Sequence, residues 1–175
     1  MSGPKGRKGT TSSDQYQRNS IPDLKVNGLE YVNSIQEICS PRKTGDDCRC
    51  KNKNCFSLVD GEKQMSIISH LNKLKNKDKQ DIYLQGLIEV EQVKSRRPRK
   101  EIPKVRSNNY SYFIMVENKK INVCKRAFIS LHGITEKRVR RLCLTLVKGE
   151  SPCDLRQKHI KINKLFHEVF SKKLY

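Results

Sequence analysis

The sequence predicts a mainly α-helical protein that contains one small β-hairpin, and two patterns support this class. Apolar side chains recur every three or four positions over residues 60–87 and again over residues 123–148, which is the period of an amphipathic helix. Residues 110–116 are instead rich in aromatic and β-branched side chains, a composition typical of a strand. We therefore expect a helical N-terminal half with a cysteine-rich loop, followed by a C-terminal half in which a β-hairpin leads into a helix-turn-helix.

The N-terminal half is expected to consist of an arm and a helical region. Residues 1–27 hold too few apolar side chains to offset the entropy lost on folding, so they predict a disordered basic arm. The helical region then covers residues 28–94. It begins with about two turns of helix that Pro41 ends, and after the cysteine-rich loop it contains two further helices, which Asp60 and Asp78 open.

A basic linker over residues 95–107 separates the two halves, because this stretch holds two prolines and six basic side chains. The preceding residues 87–93 fit either the end of a helix or the start of a strand. A solvated linker, a nuclear-import signal and a phosphate contact are all consistent with the charge of the linker.

The C-terminal half is expected to place a hairpin and a helix-turn-helix in residues 108–159, with a closing amphipathic helix in residues 160–175. Gly133 separates the two helices of the motif and can adopt the positive φ that follows a helix C-terminus. Thr135 then offers a side-chain oxygen that can cap the second helix.

The strongest bulk property is positive charge, since 37 Lys and Arg against 18 Asp and Glu give a formal net charge of +19. A compact protein with this charge repels itself unless a polyanion screens it, so nucleic acid is the expected partner. No segment approaches the roughly 18 apolar residues of a membrane helix, and nothing resembles a secretory signal. We therefore expect no membrane contact and a soluble, nuclear protein. We also expect no enzyme activity, because the sequence shows no Gly-rich phosphate loop, paired-carboxylate site or Ser-His-Asp order.

The second helix of the motif is the expected contact with duplex DNA. In DNA-binding proteins of this type, the second helix enters the major groove and its N-terminal residues contact the base edges. The alternative is an ordinary αα-hairpin with a solvated basic face. The candidate DNA-binding residues of this helix are Thr135, Lys137, Arg138, Arg140 and Arg141, and those of the linker, which would contact phosphates, are Arg96, Arg97, Arg99 and Lys100.

The cysteine-rich loop is a candidate zinc site. The chain has seven cysteines, an odd number that does not suit a disulfide framework. Cys48, Cys50 and Cys55 lie within eight residues, and thiolates this close together are commonly gathered by a tetrahedral Zn²⁺. Cys39 is the expected fourth ligand and His70 is the alternative. The other interpretation is that these are free cysteines in a loop.

Three further residues with reactive side chains fall on the predicted helix pair. Cys124 and Cys143 are expected to pack in the core, as free cysteines on helices usually do. His132 precedes the turn glycine, where a partly buried or helix-capping imidazole is the ordinary interpretation.

Two motifs in the C-terminal half give the chain a resemblance to a known group of proteins. The cysteine-rich basic loop, the arginine-rich linker and the aromatic strand, followed by KINVCKRAFISLHGITEKRVRR and CDLRQKH, are similar to the N-terminal part of transposable-element-derived, transposase-like proteins expanded in insects. Positions that keep the first motif are Val123, Cys124, Lys125, Phe128, Gly133, Ile134, Thr135 and Val139, and positions that keep the second are Asp154, Arg156, Lys158 and His159. His132 and Gln157 depart from the two patterns. The resemblance implies a sequence-recognising front end of a transposase-like protein, without its catalytic domain.

Two other functions stay open on the sequence alone. The chain could be a small interaction or scaffold protein whose cysteine loop and terminal helix bind protein partners. It could also bind single-stranded RNA, because aromatic side chains beside basic ones can stack on unpaired bases. The aromatic side chains concerned are those of Tyr110, Tyr112 and Phe113.

Overall fold

The computed structural model describes residues 17–93 and 107–153. Within these ranges the chain forms five helices and five strands, and the strands make one sheet of two and one sheet of three. The protein is therefore mixed α/β, and the predicted mainly α-helical class with a single hairpin is wrong. The difference arises because residues 31–39, expected to be helical, form a second hairpin, and residues 88–92 add a third strand to the predicted one.

Residues Gln17–Asn27 form helix α1, although the sequence predicts disorder up to residue 27. Two distant side chains hold the C-terminal end of this helix. The amide of Gln80 donates to the carbonyl of Val26 at 2.7 Å, and the guanidinium of Arg42 donates to that of Lys25 at 3.0 Å. Local composition cannot reveal contacts of this kind, which explains why the prediction missed the helix.

Strands β1 (Tyr31–Val32) and β2 (Ile38–Cys39) form an antiparallel hairpin where the sequence predicts two turns of helix. Asn33 accounts for the difference. Its side-chain oxygen accepts hydrogen bonds from the backbone N–H groups of Ile35 at 3.0 Å and Glu37 at 2.9 Å. An Asn that satisfies backbone donors in this way favours a turn over a helix.

Helices α2 (Gly61–Lys73) and α3 (Lys77–Gly86) follow the cysteine-containing loop. Asp60 caps α2 as predicted, since its carboxylate accepts from the N–H of Lys63 at 2.8 Å. Asn76, and not Asp78, caps α3.

The three-stranded sheet is antiparallel and has the order β3-β4-β5, with β3 at Ile88–Gln92, β4 at Asn108–Val116 and β5 at Lys119–Val123. The hairpin of β4 and β5 was predicted and is confirmed. Of the two alternatives for residues 87–93, a helix end or a strand, the structure shows a strand. Tyr112 on the middle strand pairs with Ile88 of β3 on one side and with Val123 of β5 on the other.

Helices α4 (Lys125–His132) and α5 (Glu136–Val147) form the predicted helix pair. Gly133 ends α4 with φ of 56°, and a Cβ at this position would lie 2.7 Å from the carbonyl oxygen of Lys43. Both the left-handed backbone and the lack of space therefore require glycine. Thr135 caps α5 by accepting from the N–H of Arg138 at 3.3 Å.

The core lies between the sheet and the helices. Helix α2 packs on α4 and β4, and α3 packs on α5 and β3. The largest side chains that are fully buried between these elements are Leu71, Leu84, Ile114, Phe128, Leu131 and Leu142. None of the helices in the described ranges is long and apolar enough to span a lipid bilayer. The expected C-terminal helix at 160–175 and the linker residues 95–106 lie outside the described residues.

Candidate metal centre and basic surface

Four cysteine sulfurs meet where the loop of residues 42–57, here called the cysteine loop, reaches the start of α4. The Sγ atoms of Cys48, Cys50, Cys55 and Cys124 all lie within 4.8 Å of one another. Two of the separations are 3.4 Å, from Cys48 to Cys50, and 3.3 Å, from Cys50 to Cys55. A tetrahedral ion with metal–sulfur bonds of about 2.3 Å places its sulfur ligands about 3.8 Å apart. The four thiols are therefore close enough to hold a metal ion.

Backbone geometry brings the three loop cysteines together. Arg49 and Asn54 adopt left-handed conformations, with φ of 50° and 42°, so the chain turns sharply between the cysteines. The loop is fixed to α4 by Ser130, whose carbonyl accepts from the N–H of Gly45 at 3.0 Å and whose hydroxyl donates to the carbonyl of Asp46 at 2.7 Å.

Cys124 joins the cluster from the opposite side because it is the N-cap residue of α4. Its Sγ accepts from the N–H of Ala127 at 3.3 Å, as a capping side chain does. Its own N–H donates to the Sγ of Cys55 at 3.3 Å. The positive end of the helix dipole thus points at the sulfur cluster and favours negatively charged thiolates.

The cysteines differ in how readily they lose a proton. The N–H of Cys55 donates to the sulfur of Cys50, and this contact is the main reason why the pKa of Cys50 falls to about 6. Burial raises the pKa of Cys48 to about 12 and that of Cys55 to about 11. A bound cation would offset the cost of burying these charges and displace the protons.

The fourth cysteine of the cluster is not the one that the sequence led us to expect. Cys39 lies on β2, where it pairs across the hairpin with Tyr31, and it is not part of the cluster. The alternative ligand, His70, stacks against Tyr83 with ring centroids 4.9 Å apart. Cys124, which we expected in the core, takes the place of Cys39. Its position directly before a predicted helix was the available signal, but its separation of 69 residues from Cys55 gave no spacing motif.

Arg138 and Arg141, two of the predicted DNA-binding residues, form ion pairs with a buried carboxylate. Both guanidinium groups bind the carboxylate of Asp81, which has no exposed surface; the Arg138 Nε lies 2.7 Å from Oδ1, and Arg141 binds Oδ2. Lys77 adds a third cation at 3.5 Å. Arg138 is only 17% exposed. These two arginines hold α5 against α3, so their guanidinium groups are engaged within the protein and are not free as the sequence led us to expect.

Gln80 extends this ion-pair network to the N-terminal helices. Its side-chain oxygen accepts from Arg138 at 3.2 Å, and its amide nitrogen donates to the carbonyls of Leu71 at 2.9 Å and Val26 at 2.7 Å. Gln80 is fully buried. The network therefore fixes the orientation of α5 relative to α1, α2 and α3.

A different set of α5 residues faces solvent, and we call it the outer stripe. Arg140 is 73% exposed and Leu144 is 58% exposed, and Lys137 and Val147 are exposed on the same side of the helix. The hydroxyl of Thr135 is used by the helix cap. Glu136 binds Lys125 at 2.8 Å, which is the main cause that lowers the pKa of its carboxyl group. Arg96, Arg97, Arg99 and Lys100 lie outside the described residues.

His132 is buried inside the helix pair and not partly exposed at its end. Its Nδ1 donates to the carbonyl of Phe128 at 2.9 Å, and its Nε2 has no hydrogen-bond partner among the described residues. Burial lowers the pKa of this imidazole to about 4, with smaller contributions from the nearby cations Arg138 and Arg42. The side chain is therefore neutral at physiological pH.

Comparisons with known protein families, with characterised proteins and with solved structures found no match for this chain.

Proposed function

We propose that Cys48, Cys50, Cys55 and Cys124 bind one structural Zn²⁺. The observation that carries this proposal is the mutual approach of four sulfurs from two distant segments to within 4.8 Å, close enough to bind one tetrahedral ion. An all-thiolate, four-coordinate site favours a thiophilic d¹⁰ cation over Mg²⁺ or Ca²⁺, which prefer oxygen. With four protein ligands the ion has no open position for substrate, which supports a structural role.

The zinc proposal is tested by metal content. The purified chain should contain one zinc ion per molecule, and Cys124→Ser should lower this to a small fraction. Cys39→Ser is the matched control, because Cys39 lies outside the cluster, and its zinc content should equal that of the parent. Full zinc occupancy in Cys124→Ser, or loss of zinc in Cys39→Ser, would contradict the assignment of ligands.

We further propose that the protein is a duplex DNA-binding module, consistent with its resemblance to the front end of transposase-like proteins. The net charge of +19 supports a polyanionic partner, and the helix pair α4–α5 has the order and caps of a helix-turn-helix. Arg138 and Arg141 are engaged with Asp81, so the proposed contacts are those of the outer stripe. Lys137 and Arg140 lie one turn apart near the N-terminus of α5, the part of such a helix that meets base edges.

The outer stripe suits a duplex for two reasons. Its cations are exposed on one side of a rigid helix, so they can approach phosphates or guanine edges together. Leu144 adds an exposed apolar side chain beside them, which can contact a thymine methyl group. Each phosphate contact should contribute about −0.9 to the slope of log affinity against log salt concentration.

The DNA proposal is tested by reversing charge at the outer stripe. Lys137→Glu with Arg140→Glu should remove most binding to random-sequence duplex DNA and flatten the salt dependence. The control pair Lys73→Glu with Lys79→Glu makes the same change in net charge on the exposed surfaces of α2 and α3. It should bind more tightly than the outer-stripe variant. Equal affinities of the two variants would show that only net charge matters and that α5 has no special role.

One observation supports a second candidate function, a protein-interaction module. A groove of about 730 Å³ lies beside α2, and its lining includes the apolar residues Leu29, Met65 and Ile68 together with several basic residues. The exposed large apolar side chains of this region are Leu29, Val32, Ile35, Ile38 and Met65. Exposed apolar groups of this kind are typical of interaction sites. Capture of a protein partner that persists at high salt, without retention of DNA, would favour this candidate.

A further inference from the structure

A second groove, which we call the amide groove, opens between the sheet and α5. It has a volume of about 1270 Å³ and is bordered by the end of β3, the start of β4 and one side of α5. Arg140 and Leu144 of the outer stripe also line it, so the groove is continuous with the proposed DNA-binding surface. Sites for small molecules usually have roughly 300–1,000 Å³, so the amide groove has room for a nucleotide.

Only one of the three aromatic residues of β4 that the sequence singled out can stack on a base from this groove. Tyr112 is buried, with its ring 5.5 Å from that of Phe128 and its hydroxyl 3.7 Å from the Sγ of Cys143. Phe113 lies on the other face of the sheet, under the Lys120 ammonium group at 4.3 Å. Tyr110 is half-buried and lines the groove. It packs partly on the core, so its ring is held in place while one part stays accessible.

Two side-chain amides border the groove on the same face of the sheet as Tyr110, those of Gln92 and Asn108, which pair across β3 and β4. Within the described ranges, no side-chain hydrogen bond engages either of these amides. A carboxamide offers two donors and one acceptor and can match the edge of a base that is not paired. The amides therefore supply the polar contacts that an unpaired base would require.

The charge around the groove suits a phosphate. Lys125 and Arg140 are the cations of its lining, and Glu91 is the acidic residue there. Both cations also contact Glu136, Lys125 at 2.8 Å and the more exposed Arg140 at 3.9 Å, so Arg140 is the freer of the two to bind a phosphate. The chain leaves β3 at Val93 and returns at Ser107, where the N–H of Val93 donates to the carbonyl of Ser107 at 3.1 Å.

We propose that the amide groove binds one unpaired nucleotide of the nucleic acid that α5 contacts. The base stacks on Tyr110, its edge meets the amides of Gln92 and Asn108, and the adjoining phosphate binds Arg140. The inference rests on the proposed DNA-binding function and makes it more specific. The preferred ligand is a duplex with a single-stranded end, and a fully paired duplex binds less tightly.

The test compares two fluorescently labelled duplexes of the same sequence, one blunt and one with a three-nucleotide single-stranded extension. Because one base can stack on an aromatic side chain, the extended duplex should bind about tenfold more tightly than the blunt one. Tyr110→Leu and Gln92→Ala should each reduce this preference while leaving the affinity for the blunt duplex unchanged. Tyr110→Phe keeps the ring and should keep the preference, which separates stacking from a general loss of stability.

A further control separates the two proposals. Lys137→Glu should weaken both duplexes by a similar factor, because Lys137 belongs to the outer stripe and does not line the groove. If the parent binds both duplexes equally, or if Tyr110→Leu keeps the full preference, the amide groove is not a nucleotide site and the duplex proposal stands. If the parent binds isolated single strands but no blunt duplex, the duplex proposal fails and the groove assignment is supported.

Discussion

Removal of the Asp81 carboxylate should be among the most destabilising single changes in this protein. Asp81→Ala leaves Arg138, a guanidinium that is 17% exposed, beside a site that has lost its anion. Breaking a buried ion pair from one side usually costs about 3–5 kcal/mol. Arg141 and Lys77 are more exposed and can regain water, so we expect the lower end, a loss of about 3 kcal/mol in the free energy of unfolding. For a chain of this length such a loss lowers Tm by about 6–12 °C.

The assay is urea denaturation, with Glu136→Ala as the matched control. This control breaks the pair between Glu136 and Lys125, in which both side chains are largely exposed, and should cost less than about 1 kcal/mol. Replacing both partners, as in Asp81→Leu with Arg138→Met, should recover part of the loss, because no charge is left without its partner. The reasoning is refuted if Asp81→Ala is no less stable than Glu136→Ala.

Three further predictions concern the metal, a buried imidazole and a turn. If zinc binds as proposed, treatment with a chelator should lower the free energy of unfolding of the parent. Cys124→Ser should show no further loss on the same treatment, and an equal loss in both proteins would contradict the metal assignment. The pKa of His132 falls from an ordinary value of 6.5 to about 4, so the unfolded chain takes up a proton between these pH values and the folded chain does not. The free energy of unfolding should therefore decrease by up to about 3 kcal/mol as pH falls through this window. Urea denaturation at a series of pH values should show a weaker dependence of this free energy on pH in His132→Leu than in the parent. An equally strong dependence in both would count against the argument. Gly133→Ala should lower Tm more than Gly149→Ala does. The backbone φ is positive at both positions, but only a Cβ at Gly133 would clash, since it would lie 2.7 Å from Arg42 Cγ. Equal shifts in Tm would exclude the clash.

Features that depend on short-range signals were predictable from the sequence. The end of α4 at Gly133 and the cap of α5 at Thr135 were both predicted, because a helix terminus is specified by a few neighbouring residues. The β4–β5 hairpin followed from a strongly strand-forming composition. The β1–β2 hairpin was missed because the apolar residues there also fit helical spacing, and the local hydrogen bonds of Asn33 decided the outcome.

Features that depend on residues far apart in the chain were not predictable. The sequence shows that α5 is rich in arginine, but it does not show that Asp81, 57 residues before Arg138, binds one side of the helix. The cluster of four cysteines has the same property, since Cys124 comes from a segment that no spacing motif connects to the cysteine loop. In the described part of the chain, tertiary structure alone therefore decides which basic residues form internal ion pairs and which stay exposed.

Many of the contacts described above cross from residues 17–93 to residues 107–153. The β3–β4 ladder, the contacts of Asp81 with α5 and the four sulfurs each join the two segments. A polypeptide cut within the connection at 94–106 should therefore stay together as one particle. Two separately produced fragments should also assemble when mixed. The proposed metal ion, with ligands from both fragments, would increase their affinity for each other.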